Sequence, residues 1–228
     1  MKLVVIEGLD GAGKSTQMEM LRKYLSSMGV AHEYLHFPRT EAPWFGELIS
    51  RFLRGEFGSA AEVDPYLVAI LYAGDRNDAA RQIRNWLDEK RLVLLDRYTY
   101  SNIAYQCAKL KNNEERIRLR EWITELEFKH FGIPVPDLNI FLDVPFSFTE
   151  RKLTDARSGN DRSYLNGTND VHEADTGFQR KVRDIYLETA GSDPRLTIID
   201  CSDKSGMMLP PEGVFEKILG MLKTKNIL

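Results

Sequence analysis

The chain has 228 residues, a formal net charge of −3, 43% hydrophobic residues and two cysteines, Cys107 and Cys201. That length suits one domain with a sizeable core, and the charge balance excludes a global basic field for nucleic acid or an anionic membrane, so any phosphate recognition must be local. The cysteines lack metal-type spacing, and Glu7 and Asp10 interrupt the first apolar run; a reduced, cytoplasmic protein without signal peptide or membrane span is expected.

Leu3-Val4-Val5-Ile6 is a continuous apolar run, the pattern of a strand buried on both faces. Gly8-Leu9-Asp10-Gly11-Ala12-Gly13-Lys14-Ser15 follows, with Thr16 next, and matches G-x-x-x-x-G-K-[ST], the P-loop pattern. Met18, Leu21, Leu25 and Met28 then recur at helical steps up to Gly29, a glycine C-cap. Residues 30–37 predict a second strand and 43–54 a helix. Asp64-Pro65 opens a long helix to about Lys90, with Asp as N-cap and Pro at the first helical position. Strands are expected at 92–96, 138–144 and 196–200, and helices at 101–110, 114–131 and 211–224. Five strands separated by helical segments argue for one domain over 1–228, a five-stranded parallel α/β sheet flanked by helices that binds ligands at its strand carboxyl ends. Residues 149–176 interrupt this rhythm: they are polar, carry Arg151, Lys152, Arg157 and Arg162, and suit a lid that closes over phosphates.

Glycines between a strand and a helix let backbone N–H groups turn inward around a phosphate, and the helix N-terminus adds partial positive charge. Lys14 is placed to bridge the outer phosphates, and Ser15 to offer a hydroxyl to Mg²⁺. Asp96 ends an apolar strand, as a carboxylate beside Mg²⁺ does, and Arg97 follows it where an anion would be faced. Tyr72 and Arg76 are four residues apart on one helix and share a face, which suits a ring stacked on a base beside a phosphate-binding guanidinium. A rival motif, His32-Glu33-Tyr34-Leu35-His36, matches the zinc pattern H-E-x-x-H. That pattern needs a helix; on the strand expected here the two histidines stand about 13 Å apart, too far to share an ion bound at ~2.1 Å. No N-K-x-D guanine motif and no Ser/His/Asp arrangement stands out.

Taken together these segments resemble the thymidylate kinase family over nearly the whole chain. Its P-loop is matched through Asp10, its arginine segment by Phe37-Pro38-Arg39, and its stacking helix by Leu71-Tyr72-Ala73-Gly74-Asp75-Arg76. Asp96-Arg97-Tyr98-Thr99-Tyr100-Ser101, followed by Ala104-Tyr105-Gln106, is the most specific match. The resemblance implies the P-loop kinase fold with a lid, phosphorylation of dTMP by Mg·ATP toward dTTP, and a homodimer. It implies that Gly8, Asp10, Gly11, Ala12, Gly13, Lys14, Ser15 and Thr16 hold ATP, with Ser15 and Asp96 at Mg²⁺. It further implies Lys14, Asp10, Arg97 and the lid's Arg157 as catalytic, Arg157 because the P-loop carries Gly11 and Ala12 where some members have arginine. For dTMP it implies Arg39, Arg76 and Arg97 on the 5′-phosphate and Asp10 on the 3′-hydroxyl. Tyr72 would stack on thymine between Phe37 and Ile49, with Ser101 and Gln106 at the base edge. Tyr105 would lie under the sugar, where it excludes a 2′-hydroxyl. Glu173 resembles a lid glutamate.

Overall fold

Largely apolar runs form strands β1 (Leu3–Gly8), β3 (Leu92–Asp96), β4 (Leu138–Asp143) and β5 (Leu196–Asp200), and the more polar stretch His32–His36 forms β2 at the sheet edge. The structure, a computed structural model, describes residues 2–60, 62–154, 165 and 175–228. All four strand pairings are parallel, and the order is β2-β3-β1-β4-β5. Continuous apolar sequence is what a central parallel strand needs, because helices cover both of its faces. In β1, Val4 and Ile6 join a core with Leu21 and Leu25, while Leu3 and Val5 join a second with Ala79 and Ile83.

The helices are α1 (Lys14–Ser27), α2 (Phe45–Leu53), α3 (Pro65–Asp88), α4 (Thr99–Cys107), α5 (Asn113–Thr124), α6 (Phe146–Thr154), α7 (Thr176–Ser192) and α8 (Pro211–Thr224). Asp64 caps α3 as its sequence predicts, accepting from the N–H groups of Tyr66 and Leu67. Two segments differ from expectation. The helix expected over 114–131 ends as α5 and continues as a π-helical stretch, Glu125–His130, in which Phe131 N–H reaches back five residues to the Leu126 carbonyl. The start of the expected lid is helical, as α6, and residues 155–164 and 166–174 lie outside the described residues.

The strand order positions the site. After β1 the chain passes over the place of β3 to form β2; after β3 it crosses to the other side of β1 to form β4. Connections leave β1 and β3 in opposite directions, so a crevice opens at their carboxyl ends, where ligands bind in open α/β sheets. The loops that carry Gly8 to Lys14 and Asp96-Arg97 both begin there.

Candidate active site

Gly11 and Gly13 have φ of 79° and 82°, the left-handed region that a side chain strains to enter. They wrap the loop so that α1 begins at Lys14 with no side-chain cap, leaving its first N–H groups for a ligand. The Lys14 ammonium is buried and donates to the loop's own carbonyls, at 3.2 Å to Gly8 and 2.9 Å to Leu9. Burial and the nearby Arg97 charge lower its pKa to about 8, against the pull of Asp96, Asp10 and Glu7.

Across the crevice, Arg97 has a φ of 67°, a conformation uncommon outside glycine and asparagine. Its loop is tied down by Glu7, a fully buried carboxylate on β1 that accepts from Tyr98 N–H at 2.9 Å and from the Tyr186 hydroxyl at 2.9 Å. The Arg97 guanidinium donates to Asp10 at 2.6 Å and to Ser101 Oγ at 3.1 Å. Asp10 also accepts from the Tyr105 hydroxyl at 2.7 Å and from Gln179 on α7 at 3.1 Å. Burial alone would lower the Arg97 pKa; the electrostatic pull of the Tyr105 hydroxyl and the Asp10 carboxylate outweighs it and holds it well above its ordinary value.

Arg39 and Arg76 sit on the α2–α3 side. Arg39 donates to the Asp75 carboxylate at 2.8 Å and to Asp78 at 2.5 Å. Arg76, 1% exposed, pairs in bidentate fashion with Glu127, Nε to Oε2 at 2.7 Å and Nη2 to Oε1 at 2.6 Å. The expectation that Arg76 reaches out to a phosphate is therefore corrected: its guanidinium is walled in and its fork is taken by a carboxylate. Ser101 Oγ donates to Glu7, accepts from Arg97 and lies 2.8 Å from the Tyr186 hydroxyl, so it links three site residues. Ile49 is buried beside Phe52 and Val68 with Tyr72 half-buried against them, whereas Phe37 is buried in a different cluster against Tyr98. Gln106 is fully buried on α4, and neither atom of its amide has a hydrogen-bond partner among the described residues.

Asp96 suits a metal-bound phosphate. It is 1% exposed, one oxygen is 3.3 Å from His36 Nδ1, and the other, Oδ1, has no partner among the described residues. Burial opposes its ionisation, but the His36 hydrogen bond and the Lys14 charge hold its pKa below the usual value. Ser15 and Thr16 are exposed in the first turn of α1. The H-E-x-x-H residues form β2, an extended strand, as the sequence predicts. Among the described residues no group of three or more His, Cys, Asp or Glu could hold a metal ion. No described helix is long and apolar enough to cross a membrane. Arg157, Arg162 and Glu173 lie outside the described residues.

A family model described as thymidylate kinase matches residues 6–208. The chain belongs to the thymidylate kinase family. It is 33% identical over 189 residues to the thymidylate kinase of Mycobacterium tuberculosis (strain ATCC 25618 / H37Rv), covering 82% of this chain and 85% of that protein. It is 29% identical over 225 residues to a probable thymidylate kinase of Thermococcus gammatolerans, covering 96% and 95%. The solved thymidylate kinase of Candida albicans superposes with a TM-score of 0.72 at 26% identity, covering 99% of this chain and 92% of that one. Within this thymidylate kinase frame, sequence reasoning missed Glu7, Asn102, Glu127, Gln179 and Tyr186 as site-building residues. Two carried a signal: Glu7 is a charge inside a strand's apolar run, and Glu127 continues the apolar four-residue stripe Leu119, Ile123.

Proposed function

We propose that the chain, acting as one unit over 1–228, transfers the γ-phosphoryl group of ATP to dTMP, giving dTDP on the route to dTTP. The observation that carries this reading is the meeting of the P-loop and Arg97 at the crevice: the Arg97 guanidinium donates to the P-loop's Asp10 at 2.6 Å, on the same side as the buried Lys14 ammonium, whose pKa its charge lowers. A phosphate chain cradled by the P-loop on one side then faces a phosphate held by guanidinium on the other. The P-loop N–H groups and Lys14 bind the ATP phosphates, Lys14 exchanging the Gly8 and Leu9 carbonyls for phosphate oxygens and opposing the charge that builds on the transferred group. Ser15 and Asp96 would hold Mg²⁺ bound with ATP, which would supply charge neutralisation on the phosphates; Asp96, ionised and with Oδ1 free of a partner among the described residues, suits that role.

On the acceptor side, Arg97 and Arg39 orient the 5′-phosphate of dTMP and Tyr72 stacks on thymine. Asp10 takes the 3′-hydroxyl, and Tyr105, hydrogen-bonded to Asp10, lies under the sugar and excludes a ribonucleotide. Gln106 belongs to the base end of this pocket, and Arg157 is the lid arginine assigned to the transferred phosphoryl group. Family resemblance extends the reading to a cytoplasmic homodimer, and two buried free cysteines suit a reducing compartment. A coupled assay of ADP release across dTMP, dUMP, dCMP, dGMP and thymidine tests it. The highest kcat/KM is expected on dTMP, and greater activity on thymidine would make the protein a nucleoside kinase instead.

A further inference from the structure

Glu127 lies outside every motif above, yet it gathers the acceptor side of the crevice. It is fully buried on the π-helical stretch Glu125–His130, the one such stretch among the described residues. Wide π turns of this kind recur at functional sites, where they re-aim a side chain. Four donors from two other elements converge on its two oxygens. Oε2 accepts from Arg76 Nε at 2.7 Å and Thr99 Oγ1 at 2.8 Å; Oε1 accepts from Arg76 Nη2 at 2.6 Å and Asn102 Nδ2 at 3.0 Å. Asn102 Nδ2 also donates to the Ala69 carbonyl at 3.1 Å, so that amide cannot turn over. Its oxygen is buried with no hydrogen-bond partner among the described residues.

A core that needed only volume at this position would take a leucine, because burying two charges carries a desolvation penalty that their attraction seldom more than offsets. The apolar stripe Leu119, Ile123 offers that alternative one and two turns earlier on the same chain. What the carboxylate supplies is orientation. It holds the Arg76 guanidinium in one plane and forces the Asn102 amide to present an oxygen rather than an NH₂. We propose that Glu127 is a positioning residue of the acceptor pocket: by tying Arg76 on α3 to Thr99 and Asn102 on α4 it fixes the two helices that carry Tyr72 and Tyr105, and so sets how the acceptor nucleotide is recognised without touching it. This rests on the dTMP-phosphorylating reading above.

The test compares the intact protein with Glu127→Gln and Glu127→Asp. Glutamine puts an NH₂ group where a carboxylate oxygen accepted, against donors from Arg76 or Asn102. Aspartate keeps the charge, and with it the neutralisation of Arg76, but draws the carboxylate back by one methylene. KM for dTMP, and its Kd by calorimetry, should rise about tenfold or more in Glu127→Gln, as loss of charge-assisted bonds predicts, and by a smaller factor in Glu127→Asp. KM for ATP should stay unchanged and kcat should fall less than about threefold, since no group at the transferred phosphoryl moves. A lower Tm with an unchanged KM for dTMP in both variants would make Glu127 a core residue only and overturn the proposal. If Glu127→Gln does not fold, the aspartate variant decides by the same KM comparison. A native protein that releases no ADP with dTMP would overturn the functional reading and this proposal together; native activity with unaltered variant KM overturns this proposal alone.

Discussion

Lys14 is a lysine held below its ordinary basicity, and that fixes how the site should respond to pH. Burial and Arg97 bring its pKa to about 8 in the ligand-free protein. Above that pH the free site loses its ammonium, so kcat/KM for ATP should fall with rising pH through about 8, about tenfold per unit once the group is neutral. Bound ATP adds negative charge beside the group and raises its pKa again, so the fall in kcat should begin at higher pH. A kcat/KM profile for ATP that stays flat to pH 9.5 would mean Lys14 is not the titrating contact. Lys14→Ala should lower kcat by roughly 10²–10³-fold while calorimetry finds dTMP affinity unchanged. Lys14, Asp96 and Arg97 were legible because their chemistry is local, a few residues at the end of a strand. The partners that decide their state were not. Gln179 reaches Asp10 across 169 residues of sequence, and Glu127 reaches Arg76 across 51, distances over which spacing carries no information.

At the scale of elements, the acceptor wall depends on how closely α2 approaches α3. A Cβ added at Gly74 would fall 2.1 Å from the Phe45 ring, so hydrogen is the only substituent that lets the first turn of α2 rest on the middle of α3. Ile49 and Tyr72, from these two helices, stand in one apolar cluster that this contact holds together. Gly74→Ala should therefore push α2 outward. The overpacking should cost about 1–3 kcal/mol in chemical denaturation, and KM for dTMP should rise while KM for ATP does not. An equal rise in both would place the damage in the sheet rather than in the wall. Elements were legible where one periodicity prevails: β1, β3, β4 and β5 are largely apolar runs, and Asp64-Pro65 announces α3. The π-helical stretch was not, since a shift in backbone hydrogen bonding from four to five residues leaves the side-chain pattern almost unchanged. Nor was α6, whose first turn Phe146-Ser147-Phe148-Thr149 lacks an acidic residue and runs into a polar stretch.

For the molecule as a whole, the opposed connections from β1 and β3 bring groups far apart in sequence to one crevice, and they leave buried polar atoms at its margin. Lys109, just beyond α4, is the one whose effect on stability is easiest to isolate. Its Nζ is buried with no hydrogen-bond partner among the described residues and lies 5.0 Å above the Phe52 ring, where α4 meets the α2 cluster. Burial lowers its pKa to about 8, only partly opposed by Asp64. A cation over a ring contributes about 0.5–2 kcal/mol, whereas an unsatisfied buried donor costs about 1–3 kcal/mol and more when charged, so the balance is destabilising. Lys109→Met keeps the length and the ring contact without the charge. It should stabilise the protein by about 1–2 kcal/mol at pH 7, or roughly 2–4 °C in Tm for a chain of this size. The pH dependence carries a sign. Unfolded lysine stays protonated to about 10.5, the folded group only to about 8, so between these values the unfolded chain binds more protons and stability rises with pH. Native protein thus gains on Lys109→Met across that window, and the advantage seen in urea titrations at pH 7 should shrink by pH 9.5. An advantage that persisted undiminished at pH 9.5, or a methionine variant less stable at pH 7, would show that the ammonium over Phe52 is held favourably rather than merely enclosed.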